Sequence, residues 1–258
     1  MNNALNWRQL FSIALIALTT SGCTTTQVVT ANSRPAIQAS EPIPYDELLD
    51  IGITPIEPGI PSDPKELDKK LIIPDVRRAE SRYIAYLLKD TLELTGNWGA
   101  VRVTPGSSKS VDLEISGRII LSDGEQLQVL LRAVDAGGRS WFQKTYGDIA
   151  SKFSYDNLME DPFQDLYNDI ADDLLEFRLS LTRDQIIEIK TVASLKYASD
   201  LSPDAFGEYL SESKRGRITV NQLPAETDSM MQRISRIKEQ EYLDRKSTRL
   251  NSSHTSIS

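Results

Sequence analysis

A period of two over 111–121, with apolar residues or glycine at every odd position and polar residues between them up to Arg118, constrains the fold more than any other feature of this sequence. Apolar side chains at every second position face one side of a β-strand, so the pattern predicts a strand with one buried face. Turn-forming residues at 122–125 and 135–138 each precede another stretch that is predicted to be extended. We therefore predict a three-stranded antiparallel meander that ends near Tyr146 and keeps one face wet.

Helical patterns flank this meander on both sides. Apolar spacing predicts a helix over 79–95, which ends at Gly96, and a second helix that opens at Asp161 and Pro162. A strand is predicted over 49–56, and Pro55 favours an edge position for it. The predicted fold class is α+β: a mixed sheet with an antiparallel three-stranded meander, packed by two helices and followed by a helical C-terminal segment.

The amino-terminal residues predict export and lipid attachment. Residues 10–18 are apolar but too few to span a bilayer, which takes about 20 residues, and Arg8 supplies a positive flank. The small residues before Cys23, the single cysteine, resemble the lipobox of a bacterial lipoprotein signal. That resemblance implies cleavage before Cys23, attachment of acyl chains such as palmitate, and an outer-membrane location facing the periplasm. An ordinary secretory signal with a chance cysteine is the alternative.

The other end of the chain resembles a translated sequencing adapter. Residues 244–258 match such a translation, and they include His254, the single histidine. We divide the chain accordingly into five predicted parts. These are a signal peptide over 1–22, a lipidated cysteine with a disordered tether over 23–44, an α+β domain over 45–181, a truncated helical segment over 182–243, and a non-native tail over 244–258.

The composition excludes several function classes. The full chain has a formal net charge of −8, and its excluded ends carry more basic than acidic residues, so the remaining segment is more acidic still. An acidic chain without a basic block is a poor nucleic-acid ligand. Without a histidine before the tail, and with Cys23 assigned to lipid, most hydrolytic constellations are absent. We predict no catalytic residues, no metal site and no cofactor.

Few residues remain as candidates for binding. We single out Trp98, Trp141 and the neighbouring Arg77 and Arg78 as a possible binding surface. For the tryptophans the alternative is core packing, and for the arginines it is surface charge. The helix after Pro162 also carries five acids, which we interpret as its solvated face, with a paired-acid or cation site as the alternative. These acids are Asp165, Asp169, Asp172, Asp173 and Glu176.

Two resemblances extend this interpretation. Residues 111–117 and 131–138 resemble strands of the TolB amino-terminal and CsgG-like periplasmic domains, which implies that fold over about 49–181. The long apolar hairpins with which CsgG forms a pore are missing from this sequence, so channel function is not carried over. Residues 74–84, 96–103 and 161–167 resemble an uncharacterised family of Gram-negative outer-membrane lipoproteins, and this second resemblance names no activity.

These observations lead to one expected function and two alternatives. We expect a non-enzymatic, periplasm-facing outer-membrane lipoprotein that acts as an envelope assembly or scaffold adaptor. Its expected partners are the membrane, through the lipid anchor, and another envelope protein. The first alternative is a binder of a glycan or small envelope ligand that uses Trp98, Trp141 and the wet sheet face. The weaker alternative is a carboxylate-based hydrolase.

Overall fold

The computed structural model describes residues 28–30, 34–108, 110–150 and 161–255; for 28–30 and 246–255 it describes the backbone alone. Within this part of the chain, no helix is both long enough and apolar enough to cross a membrane. The predicted signal peptide and Cys23 lie outside the described residues.

A six-stranded mixed sheet forms the centre of the domain. Its strands are arranged in the order β1-β6-β5-β4-β2-β3. The strands are β1 (Val28–Thr30), β2 (Ile51–Ile53), β3 (Val101–Val103), β4 (Leu113–Ser122), β5 (Gln126–Asp135) and β6 (Ser140–Ile149). The strands β4, β5 and β6 form the antiparallel meander, whereas β2 pairs in parallel with both β3 and β4.

The meander follows from its alternating sequence. Leu113, Ile115 and Ile119 on β4 are buried, while Arg118 and Ile120 on the other face are exposed. The pairing of Ile115 with Ala133 on β5 brings the two apolar faces together. The predicted meander, its wet face and the α+β fold class are thus confirmed.

The position of β2 differs from the prediction. We expected an edge strand because Pro55 lies in the predicted segment, but β2 is flanked by β3 and β4 inside the sheet. The strand ends at Ile53, two residues before Pro55, so the missing N–H of proline removes no bond from the β2 ladder. Ile51 and Ile53 are fully buried at this central position.

Two long helices pack against the sheet. Helix α1 (Pro64–Lys69) is short, and α2 (Pro74–Thr95) begins at a proline, five residues earlier than predicted. Gly96 ends α2 with φ of +70°, the left-handed conformation that a glycine cap provides at low cost. Helix α3 (Gln164–Ser180) packs against α2 and β6. Ile84 and Leu88 of α2 belong to the same buried cluster as the sheet.

Part of the segment that we predicted to be a disordered tether is docked on the domain. The backbone of β1 pairs in parallel with β6 at Tyr146–Asp148. The amide N of Ile37 lies 2.7 Å from Asp172 Oδ1, and the amide N of Ala39 lies 2.8 Å from the carbonyl oxygen of Thr95. An extended segment can satisfy its backbone amides in this way against helix ends and side chains. The tether prediction for 23–44 is therefore wrong for these residues.

The carboxyl-terminal part is mainly helical, as predicted. It contains α4 (Arg183–Leu201), α5 (Pro203–Phe206), the hairpin of β7 (Leu210–Glu212) and β8 (Ile218–Val220), and α6 (Ser229–Thr255). A capping box formed by Thr182 and Gln185 opens α4. Helix α6 continues past Leu243, the last residue that we interpreted as native.

Two turns join this part to the sheet. The amide N of Ile218 donates to the carbonyl oxygen of Gly137, at 3.0 Å. Gly138 lies so close to Gly216 that a Cβ atom on Gly138 would be 1.9 Å from the Gly216 carbonyl oxygen. Gly138 also has φ of +75°, so both its conformation and its surroundings require glycine.

Candidate functional site: the charged end of the sheet

A pair of buried carboxylates lies where two parallel strands begin. Asp50 precedes β2 and Asp112 precedes β4, and because these strands are parallel neighbours their amino-terminal ends lie side by side. Asp112 Oδ2 accepts a hydrogen bond from the Asp50 amide at 2.8 Å, and Asp50 Oδ1 accepts one from the Ala100 amide at 2.8 Å. Asp50 is 7% exposed and Asp112 is 0% exposed.

Two lysines from different helices approach this pair. Lys238 of α6 places its Nζ 3.5 Å from Asp112 Oδ1 and 3.9 Å from Asp50 Oδ2. Lys190 of α4 donates to the carbonyl oxygens of Tyr45 and Leu48, at 3.1 and 2.5 Å. The Lys190 Nζ also lies 4.8 Å from the centroid of the Tyr45 ring, which is a cation–π contact.

A second ion pair extends the cluster along α6. Arg102 on the edge strand β3 donates through Nε to Glu241 Oε1 at 2.8 Å, and its Nη2 contacts Glu241 Oε2. This two-pronged geometry is the strong form of an arginine–carboxylate contact. One turn of α6 therefore presents a lysine to the buried acids and a glutamate to the arginine. We call the six residues Asp50, Asp112, Arg102, Lys190, Lys238 and Glu241 the charged end.

The pKa shifts reflect burial together with these neighbours. Burial raises the pKa of Asp50, the negative charge of Asp112 raises it further, and Lys238 opposes both effects. Burial lowers the pKa of Lys190, and the charges of Asp112 and Asp50 partly offset that decrease. Two buried carboxylates repel each other, and the cations from α4 and α6 offset part of that repulsion.

The charged end is closed rather than open to a substrate. Asp112 has no exposed surface, and 14% of the Lys238 side chain is exposed. Among the described residues, no group of three acid, histidine or cysteine side chains is arranged to hold a metal ion. The chemistry that this arrangement performs is the attachment of helices to the sheet by paired charges.

Trp98 and Trp141, the two tryptophans that we singled out as a possible binding surface, lie together in the core. Their ring centroids are 6.4 Å apart, and the exposed fractions are 2% for Trp98 and 6% for Trp141. Trp141 stacks on Phe177 at 4.7 Å and donates through Nε1 to Asp135 Oδ2 at 3.2 Å. Trp98 lines a small cavity of about 160 Å³ beside Tyr242. These positions favour the core-packing alternative for both residues.

Arg77 and Arg78, the two arginines that we singled out for the same binding surface, lie in different surroundings. Arg77 is 4% exposed; its Nη2 donates to the carbonyl oxygen of Ser122 at 2.9 Å, and its Nε lies 3.1 Å from Glu80. Arg78 is exposed and pairs with Asp75 at 2.6 Å. The structure therefore joins α2 to the end of β4 through Arg77. It does not bring either arginine into a common surface with the tryptophans.

The acids of α3 do not form one solvated face, so that interpretation is wrong. Asp172 binds Arg34 at 2.5 Å as well as the amide of Ile37. Asp173 accepts hydrogen bonds from Lys144 at 2.5 Å and from the Tyr146 hydroxyl at 2.6 Å. These partners come from the docked amino-terminal segment and from β6, which a pattern within the helix alone does not reveal.

An open groove lies between β6 and α3. Its volume is about 290 Å³, and it combines aromatic side chains with charged ones. The lining residues are Trp141, Phe142, Lys144, Asp173, Glu176, Phe177 and Ser180. A flat apolar wall beside polar groups can accommodate one face of a sugar ring.

The charged end was missed by the sequence analysis. Asp112 was assigned to the wet side of an alternating strand, whereas β4 begins one residue later and Asp112 is buried before it. An aspartate at the second position of each of two predicted strands was the available signal. Its meaning depends on those strands being parallel neighbours, and their pairing lies beyond local pattern.

Comparisons with known proteins give little further information. No protein-family model matches the chain, and no curated protein matches it. Among solved structures, a chain of a PelC dodecamer from Paraburkholderia phytofirmans is similar, with 15% sequence identity and a TM-score of 0.34. The match covers 55% of this chain and 94% of that one. A likeness with so low a TM-score supports no conclusion about fold or function.

Proposed function

We propose that this chain is a non-enzymatic, lipid-anchored outer-membrane protein that faces the periplasm and acts as an envelope assembly or scaffold adaptor. One observation carries the adaptor part of the proposal. The buried acids Asp50 and Asp112 are closed to substrate and contact Lys238 of helix α6. This buried charge cluster therefore attaches a helix to the sheet. Lipid attachment is supported by the sequence around Cys23.

The anchor is tested by cell fractionation of Cys23→Ser. We expect the variant to leave the membrane fraction or to stay unprocessed, because it lacks the thiol that carries the lipid. Thr26→Ser, three residues away, is the matched control and should fractionate like the unchanged chain. Membrane retention and normal processing of Cys23→Ser would show that the anchor assignment is wrong.

The adaptor role is tested by photocrosslinking in intact cells. A photoreactive residue at Gln240, exposed on α6 beside the charged end, should give an adduct with a defined envelope protein. The same group at Gln143, on the wet sheet face, is the control for nonspecific contact. Absence of a protein adduct at Gln240 from correctly localised protein would count against the adaptor proposal.

The groove between β6 and α3 favours a second candidate, a glycan binder. Its stacked rings and charged rim fit a polar ligand that has one apolar face. Replacing the exposed Glu176 with Gln should weaken retention on isolated envelope glycans, because a hydrogen-bonding carboxylate is lost. Glu188→Gln on α4, outside the groove, is the control. Equal retention of both variants would remove the support that the groove gives to this candidate.

A further inference from the structure

The inward face of α6 displays four side chains at regular helical spacing. Ile234, Lys238, Glu241 and Tyr242 follow the i, i+4, i+7, i+8 pattern, which places them on one face of a helix. Ile234 is 2% exposed, and it is the one buried side chain within 229–245 of this helix. Polar contacts therefore make up most of the attachment beyond the first turns of α6.

Each of these four side chains meets a complementary group on the rest of the domain. Ile234 packs against an apolar cluster of α4 and α5, Lys238 meets the buried acids, Glu241 meets Arg102, and the Tyr242 ring lies 5.1 Å from that of Tyr45. The receiving residues are Leu195, Ala198, Phe206, Asp50, Asp112, Arg102 and Tyr45.

The receiving surface is built without α6. The Asp50 amide and the Ala100 amide hold the two carboxylates in place, and both belong to the sheet region. Arg102 lies on β3, and the apolar cluster comes from α4 and α5. Residues 221–228, which link β8 to α6, form neither helix nor strand. The surface can therefore keep its shape while the helix that covers it changes.

We propose that this surface is a helix receptor, which α6 occupies within the same chain and which an amphipathic helix of a partner protein can occupy in its place. The partner helix carries an aliphatic residue, a lysine, a glutamate and an aromatic residue at i, i+4, i+7 and i+8. Helix-in-groove recognition uses anchors at such spacing. The inference rests on the proposed adaptor function, for which it names the chemistry of the partner.

Charge selects this partner over other amphipathic helices. Asp50 and Asp112 lie behind the helix and are 7% and 0% exposed, so an occupant without a cation removes the lysine that contacts both acids and leaves Lys190 alone to offset their charge. A helix with an acid at the lysine position is repelled by both. Because the apolar contact of α6 is small, a partner helix of the same pattern competes with it by mass action.

A labelled peptide of residues 229–243 tests the receptor on the full-length chain. In Ile234→Ser/Lys238→Glu, the chain's own helix loses its apolar anchor and its cation, so the receptor becomes free. We expect this variant to bind the peptide at least about tenfold more tightly than the unchanged chain does, measured by fluorescence anisotropy. Ile237→Ser/Arg236→Glu makes the same chemical changes on the exposed side of α6 and should behave like the unchanged chain.

The peptide itself supplies the specificity test. A peptide with Lys238→Glu should bind the released variant at least about tenfold more weakly, because it meets Asp50 and Asp112 with the wrong charge. Equal binding of both peptides, or no binding by a variant whose β4 and β5 amides keep their protection from hydrogen exchange, would overturn the proposal.

A milder variant covers the case in which the double change unfolds the domain. Lys238→Met alone should speed amide exchange in residues 236–243 at least about tenfold while the sheet stays protected. Unchanged exchange there would also overturn the receptor. Peptide binding without any envelope adduct at Gln240 would instead leave the receptor in place and reject the adaptor function.

Discussion

The Oδ1 atom of Asp112 lies 3.5 Å from the Nζ of Lys238, although the two residues are 126 positions apart in the sequence. Asp112 has no exposed surface, and Lys238 is the cation nearest to that oxygen among the described ion pairs. The contact joins the start of a central strand to the last helix. The stability of the sheet end and the attachment of α6 are therefore coupled.

Asp50→Asn should alter the pH dependence of stability. The pKa of Asp50 is raised in the folded chain, so over the range above its ordinary value of 3.8 the folded state holds a proton that the unfolded state has lost. This group therefore lowers the free energy of unfolding as pH rises through that range. Asparagine keeps the Oδ1 acceptor for the Ala100 amide and removes the titration.

Urea unfolding at several pH values between about 4 and 7 measures this effect. As pH rises, the free energy of unfolding of the unchanged chain should fall relative to that of Asp50→Asn. The difference should level off above the raised pKa of Asp50. Asp204→Asn, an exposed acid on α5, is the matched control and should follow the unchanged chain. A constant difference between the unchanged chain and Asp50→Asn across the whole range would contradict the prediction.

Two acids of α3 should respond differently to the same substitution. Asp172→Asn should cost about 1–3 kcal/mol, because the carboxylate accepts charge-assisted bonds from Arg34 and the Ile37 amide. Asp169→Asn should cost nothing at neutral pH, since burial and the charges of Asp173, Asp165 and Asp172 raise the pKa of Asp169. Denaturant midpoints of the two variants provide the measurement. Equal losses of stability would instead support the interpretation that these acids form a solvated face of α3.

A comparison of two glycines separates the stability cost of backbone strain from that of steric contact. Gly124 and Gly138 both have positive φ, but a Cβ at Gly124 meets nothing within 4 Å, whereas one at Gly138 meets the Gly216 carbonyl oxygen. Gly124→Ala should cost about 1–2 kcal/mol from the left-handed conformation alone. Gly138→Ala should cost a further ~1–3 kcal/mol from overpacking. Thermal unfolding of the two variants tests this, and similar losses would mean that the contact relaxes freely.

Local pattern predicted those parts of the fold that local contacts create. The alternation over 111–121 fixed the face of β4, and Gly96 was correctly placed as the cap of α2, because each depends on a few neighbouring residues. The place of β2 in the sheet and the meeting of Asp50 with Asp112 depend on strand pairing across long stretches of chain. Neither hydrophobic periodicity nor a helix-capping pattern indicates such pairing, so the candidate site could be identified only from the structure.

Trimming the chain after Leu243 should have a small effect on stability. One of the side chains lost is Arg245, which lies 2.8 Å from Glu93 and 3.3 Å from Glu241. These partly exposed ion pairs contribute roughly 0.2–1 kcal/mol each. A domain of this size then loses no more than about 8 °C in melting temperature.

Arg245→Ala in the full-length chain is the matched comparison for the trimmed chain. The two melting temperatures should agree if the tail acts through this side chain alone. A much larger loss on trimming would show that residues 244–258 support the domain in another way and would argue against the adapter interpretation.

If Cys23 carries the proposed lipid, the docking of β1 against β6 limits how far the domain can reach from a membrane. Five Cα–Cα steps separate Cys23 from Val28, and fully extended chain spans about 3.6 Å per residue, so a lipid on Cys23 stays within roughly 18 Å of that strand. A protein on a long tether samples a deep layer of the periplasm, whereas one held this closely samples a thin one. Under the proposed anchor, the reach toward a partner is set by the dimensions of the folded domain, and the proposed partner must itself come close to the lipid surface.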